Sequence, residues 1–220
     1  YAVVIDKDEM PMVLSMISGY FSAKKVDEGK SLFADKLGKQ IMSEKLTMTD
    51  DPFFAGSMAV RPFDDEGAPS QVTSLIEQGV LKNYLTNLEY ATKMNLPHTA
   101  HAARSPASEM SISTSTMIIA KGDTSLEEML KKYDKVVYLT EFAAGLHAGF
   151  KDTTGDFSMP AEGLLYEGGQ LVGPVDQFVI SGNVLQLLGD IEAVGNEWGN
   201  PAQGKVAPHI LFKPQSFAGK

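Results

Sequence analysis

The chain has 220 residues, 43% of them hydrophobic and 21% charged, proportions of a globular protein able to bury a sizeable core. Acidic residues outnumber basic ones by 28 to 19, a formal charge of −9, and no stripe of Lys and Arg offsets it, which argues against direct binding to nucleic-acid phosphates. Cys is absent, which excludes a disulfide framework and any thiolate nucleophile or ligand, and the longest apolar run, Met10 to Phe21, is too short and interrupted to span a bilayer.

A soluble cytoplasmic protein without a membrane-embedded part is therefore expected. Tyr1 to Asp6 reads as a strand from the first residue on, with no Met before it, and suggests a gene product that extends further in this direction. Asp6 or Asp8 can then cap a helix from about Glu9 to Ala23, with Met10, Val13, Leu14, Ile17 and Phe21 on one face and Pro11 in the first turn. A second helical stretch is expected over Ser31 to Leu37, ending at Gly38, and a strand over Lys45 to Thr49.

From Val72 to Leu85 the pattern is that of a β-hairpin turning at Gly79, where a positive φ is needed. Asn87 caps a short helix over Leu88 to Met94. The stretch His98 to Met110 is small, polar and irregular and reads as a surface loop, followed by a strand over Ile112 to Ala120. Asp123 or Thr124 with Glu127 resembles a capping box for a helix reaching Tyr133, and Val136 to Thr140 is a strand. A second hairpin turns at Glu167-Gly168-Gly169-Gln170, a helix covers Asn183 to Ile191, and Ile210 to Phe212 forms a last strand. With no repeat or linker to divide the chain, the expectation is one α+β unit, mainly antiparallel, with hairpins, a few short helices and a curved or barrel-like sheet.

The residues that carry chemistry are sparse. A zinc hydrolase needs three converging His, Asp, Glu or Cys ligands and an open position for water. His98 and His101 stand three apart, yet within a loop-like segment with no neighbouring Glu base, so helical spacing gives them no reason to converge. His147 and His209 are isolated. The run Asp64-Asp65-Glu66-Gly67 lacks the alternating ligands of a calcium loop, and Ser158 has no nucleophile elbow around it. Gly199 to Lys205 lacks the Ser or Thr that a phosphate-binding loop needs after its Lys, Val206 standing there instead.

Longer blocks are more specific. Arg61-Pro62-Phe63-Asp64-Asp65-Glu66-Gly67-Ala68-Pro69 is followed by Leu75-Ile76-Glu77-Gln78-Gly79-Val80-Leu81-Lys82-Asn83-Tyr84-Leu85. Then come Gly155-Asp156-Phe157-Ser158, Glu162-Gly163-Leu164 through Glu167-Gly168-Gly169, Ser181-Gly182-Asn183, Ile191-Glu192-Ala193-Val194-Gly195-Asn196, and Ala207-Pro208-His209-Ile210-Leu211-Phe212. In this order they resemble the TldD/PmbA proteins, also described as proposed modulators of DNA gyrase. The resemblance spans nearly the whole chain and implies that residues 1–220 are the family's C-terminal domain, the N-terminal α/β domain being absent from this chain.

In the TldD branch a helix carries His-Glu-x-x-x-His and a distant Cys completes the zinc site. Matched without a gap from Gly29-Lys30-Ser31-Leu32-Phe33, the two His positions fall on Leu14 and Gly19, the Glu position on Ser15, and the Cys position near Met159 or Pro160. The resemblance thus implies a PmbA-like (TldE-like) subunit with no cofactor in this chain, the zinc residing on a TldD-like partner. Unfolded or leader-bearing peptides are the implied substrates, and a zinc-bearing paralogue or a second copy of the chain the implied partner. Candidate groove or partner residues are Arg61, Asp64, Asp65, Asp156, Ser158 and Asn183, with turn organisation as their alternative role. Two other readings stay open: a homo-oligomeric protein binding peptides at a sheet edge, and a hydrolase using His98, His101 and nearby acids.

Overall fold

The computed structural model describes residues 1–145 and 149–218, the side chain of Gln177 excepted. Strand β1 (Ala2–Ile5) is apolar on both faces and buried throughout, as a strand inside a covered sheet must be. It pairs in parallel with β8 (Lys135–Phe142) and antiparallel with β14 (Pro208–Phe212). The full order is β12 (Ile191–Trp198), β14, β1, β8, β10 (Asp156–Glu167), β11 (Gln170–Asn183) and β15 (Ser216–Ala218), with β9 (Phe150–Lys151) added to β10. The β10–β11 hairpin turns at Gly168 and Gly169, both at positive φ.

A smaller sheet runs β13 (Lys205–Val206), β7 (Met117–Ile119), β2 (Met48–Asp50), β3 (Thr73–Glu77), β4 (Val80–Leu81). Its β3–β4 turn places Gln78 at φ 47° and Gly79 at φ 77°, the paired positive values of a two-residue hairpin. A Cβ at Gly79 would lie 2.3 Å from the Met42 carbonyl oxygen, so close approach as well as φ demands glycine there. A two-stranded ribbon joins β5 (Ala102–Ala103) to β6 (Ser111–Ile112). Helix α1 (Met10–Ser18) buries Val13, Leu14 and Ile17 in one apolar cluster that also holds Val3 and Ile5 of the large sheet and Leu75 and Ile76 of the small one.

The mainly antiparallel architecture with hairpins and few helices matches the sequence-based expectation. A closed barrel does not form: among the described residues the two edge strands of the large sheet, β12 and β15, do not pair, so it stays open. The helix expected over Glu9 to Ala23 is divided. Glu9 is its N-cap without a side-chain capping bond, so neither Asp6 nor Asp8 fills that role, and the chain tightens to a 3-10 turn at Gly19–Phe21 before α2 (Ala23–Asp27). There Tyr20 and Phe21 both pack edge-on against Phe33, at 5.5 and 4.9 Å between ring centres.

The helix expected over Ser31 to Leu37 is a series of turns instead. Ser31 Oγ accepts from the Phe33 N–H, Tyr84 donates to the Phe33 carbonyl, and Asp35 lies at φ 58°, outside the helical region. The strand expected over Lys45 to Thr49 begins later, at Met48, and the one expected over Ile112 to Ala120 is split between β6 and β7. Helix α3 (Leu88–Met94) forms with Asn87 as its N-cap, Oδ1 accepting from the Tyr90 N–H. Helix α4 (Leu126–Lys131) has its capping box one residue later than expected, on Ser125 and Glu128. Helix α5 (Val184–Gly189) is capped by Asn183.

Candidate functional site

Pairing in the small sheet sets Asp50 opposite both Thr73 and Met117, and Met117 opposite Lys205. Four connections therefore gather at one end: the loop after β2, the loop before β3, and the segments leading into β7 and β13. Here the block from Arg61 to Pro69 meets the stretch from His98 to Ser115.

Most of the hydrogen-bonding capacity of the predicted residues in this block is directed into the chain. Arg61 donates to Ser115 Oγ at 3.2 Å and to the carbonyls of Ala102 and Ser113. Asp64 is buried, 5% exposed; its Oδ1 accepts from the N–H groups of Glu66 and Ala68, and its Oδ2 from that of Ala102 at 3.1 Å. Asp65 accepts from the Arg104 N–H. Together these bonds clip the acidic turn to the β5 strand, as an Asx-type turn with one long-range arm would.

The stretch from His98 to Met110 is only partly the surface loop expected of it. Thr99, Ala100, His101 and Ala102 are buried. His101 is 1% exposed, its Nε2 2.8 Å from Asp50 Oδ2 and its Nδ1 2.9 Å from Thr99 Oγ1, while Asp50 also accepts from the Ser115 N–H. Both ring nitrogens and the carboxylate are thus occupied without solvent access, so His101 has no lone pair for a substrate or ion. His98 lies elsewhere in the same assembly, beside Glu66, so the two histidines do not converge. This loop clustering was missed in the sequence because alternating small and polar residues conceal a buried segment whose partners lie about fifty positions away.

The second predicted group lies where β10 and β11 begin and end. Asn183 donates to Asp156 Oδ1 at 3.1 Å and to the Thr154 carbonyl while capping α5. Hydrogen bonds from Thr154 first and from Asn183 next hold the Asp156 carboxyl below the usual Asp range. Ser158 stands in β10, its N–H bonded to the Gly149 carbonyl. No hydrogen bond among the described residues joins this group to Arg61, Asp64 and Asp65.

The positions that the resemblance matches to zinc ligands offer no donor set for the ion. Leu14 and Met159 are wholly buried in the apolar cluster, Gly19 has no side chain, and Ser15 donates to the Pro11 carbonyl at 2.7 Å. Residues 146–148, His147 among them, lie outside the described residues. His209 is buried beside β1: its Nδ1 accepts from the Lys7 N–H at 3.1 Å, and Tyr138, which donates to Asp6, packs edge-on to its ring. Burial lowers the His209 pKa from its ordinary value, opposed by Asp6. No helix among the described residues is long and apolar enough to cross a membrane.

The family model described as the PmbA/TldA metallopeptidase C-terminal domain matches residues 1–219. The metalloprotease PmbA of Escherichia coli O157:H7 is 32% identical over 169 residues, which cover 76% of this chain and 35% of that protein. Among solved structures, a proposed modulator of a DNA gyrase from Thermotoga maritima superposes with a TM-score of 0.92 at 32% identity, over 99% of this chain and 49% of that one. TldE from Thermococcus kodakarensis superposes at 0.87 with 26% identity, over 99% and 50%. The chain spans less than half the length of the curated relatives it matches. With a match over almost every residue and a fold shared with both structures, the chain belongs to the PmbA/TldD metallopeptidase family.

Proposed function

We propose that this chain serves as the C-terminal part of a PmbA/TldE-like subunit in a TldD/PmbA-type metallopeptidase complex acting on unfolded or leader-bearing peptides. The observation that carries the reading is the filling of the matched ligand positions: Leu14 and Met159 belong to the apolar core, and Gly19 ends α1. A hydrolytic zinc needs nitrogen, oxygen or thiolate donors and an open coordination position. In this proposal the hydrolytic zinc belongs to a TldD-like partner, and this subunit helps to enclose and shape the peptide groove, with Arg61, Asp64, Asp65, Asp156, Ser158 and Asn183 as candidates for its polar lining.

The test is peptide cleavage by the purified protein alone and after mixing with a paralogue that carries His-Glu-x-x-x-His. Cleavage only in the mixture, with the two proteins co-eluting on size exclusion, is the expected result. Cleavage by the lone protein would overturn it. Peptide binding by a self-assembled protein that never recruits the paralogue would instead favour a peptide-binding protein without catalysis.

A further inference from the structure

One corner of the loop assembly is chemically incomplete. His98 Nε2 is shielded from solvent and has no hydrogen-bond partner; Glu66 Oε2 lies 3.8 Å away, beyond hydrogen-bonding range. Leaving a buried nitrogen unpaired is destabilising, so such groups in native proteins usually face something. The other two buried side-chain polar atoms without partners among the described residues, Ser70 Oγ and Asn87 Nδ2, belong to the segments that hold this corner. Gln71, next to Ser70, donates to the His98 carbonyl, and Leu88, next to Asn87, donates to Glu66 Oε2.

We propose that Asp64, Glu66 and His98 form a binding site for a divalent transition metal, with zinc the best fit. Each offers one ligand atom, and the three atoms lie within 4.8 Å of one another, the one such grouping of His and carboxylates among the described residues. Zinc bonds of about 2.0–2.2 Å to nitrogen and oxygen put neighbouring ligands about 3.4 Å apart, so a closure of about an ångström would bring the set to coordination distance. The 3.8 Å between His98 and Glu66 is already near that spacing.

The supports around the ligands are built in. Asp64 uses three N–H bonds out of about four lone-pair positions, leaving one for an ion. Glu66 is steadied by the Leu88 N–H at 2.8 Å, and the His98 backbone by Gln71 at 2.8 Å. The side chains of His98 and Glu66 remain 31% and 23% exposed, so this corner borders solvent although His98 Nε2 itself is covered. Bound there, a metal would tie the acidic turn, the start of α3 and the segment before β5 into one unit. This is a staple, distinct from the positions matched to the family's hydrolytic zinc and independent of the peptidase proposal. A mixed imidazole and carboxylate set suits Zn²⁺ and excludes a preference for soft Cu⁺.

The test is titration of the chelator-treated, dialysed protein with Zn²⁺ and, separately, Mn²⁺ by calorimetry, with melting curves recorded alongside. One equivalent of Zn²⁺ binding, with a raised melting midpoint, is expected. His98→Ala and Glu66→Gln should each weaken it by about tenfold to a hundredfold or more. Glu66→Gln keeps an acceptor for the Leu88 N–H, so it separates lost ligation from lost folding. His209→Asn should bind as the parent does. Failure of the parent to bind Zn²⁺, or binding unchanged in both His98→Ala and Glu66→Gln, would overturn the proposal, whatever the outcome of the peptidase assay.

Discussion

His98 and His101 stand three residues apart, each beside a carboxylate, and differ in everything else. His101 and Asp50 are sealed from water, with every ring nitrogen and both carboxylate oxygens engaged. His98 and Glu66 sit nearer the surface, and the facing nitrogen has no partner. The first arrangement uses its polar groups to hold two loops against the end of a sheet; the second holds its groups in place without using them up. Reactive capacity in this assembly thus lies in what the internal hydrogen bonds leave over, not in the residue type.

The largest test breaks the sealed corner. Asp50→Ala leaves His101 Nε2 and the Ser115 N–H buried without an acceptor, and should lower unfolding stability by about 3–5 kcal/mol in urea titration. An effect below about 1 kcal/mol would mean that solvent reaches this corner. Next, Asp64→Ala strips three N–H groups of their acceptor and should cost about 2–3 kcal/mol, with Asp64→Asn recovering part of it because an amide oxygen still accepts.

The third test uses His209 as a buried histidine with a single backbone bond. Its folded pKa lies below the ordinary 6.5 because burial disfavours the charged ring. The folded state therefore binds fewer protons than the unfolded one in this window, and its contribution to stability, complete above about pH 6.5, is lost as pH falls from there through the folded pKa. Melting midpoints followed downward from neutral pH should show this loss, and His209→Asn, which keeps an acceptor for the Lys7 N–H, should flatten it. The smallest effect belongs to the open corner: without metal, His98→Ala should change stability by less than about 1 kcal/mol, because the packing lost with the ring is offset by removal of an unpaired buried nitrogen. A cost near that of Asp50→Ala would erase the contrast between the two histidines.

Much of the architecture was legible in local patterns. The alternation and positive-φ glycines of the two hairpins, at Gly79 and at Gly168-Gly169, and the capping asparagines of α3 and α5 act over a few residues and need no tertiary context. What was not legible depended on distant partners. The expected helix ran through Gly19 because its apolar spacing continues to Phe21, while burial against Phe33 decides the break. The turns at 31–37 follow from the bond Ser31 Oγ donates to the Tyr20 carbonyl and the one Tyr84 donates to the Phe33 carbonyl, and β12 was missed because Gly195 and Asn196 interrupt its pattern.

For the candidate site, the block from Arg61 to Pro69 stood out as a unit, but its neighbour did not. Neither the sealing of His101 by Asp50 nor the approach of Glu66 to His98 has a signature in spacing. Both arise from the way β2, β3 and β7 align at one end of the small sheet, a non-local fact.

The position of β1 has a consequence for how the chain reaches its folded state. Strand β1 lies inside the large sheet between β8, more than a hundred residues later, and β14, more than two hundred later. During synthesis it leaves the ribosome long before either neighbour, an apolar strand with two bare edges that cannot both be satisfied until about two hundred further residues have been made. Such long-range pairing slows folding and extends the time in which the strand can pair wrongly, so nascent chains should depend on chaperones more than the short helices and tight hairpins alone would suggest.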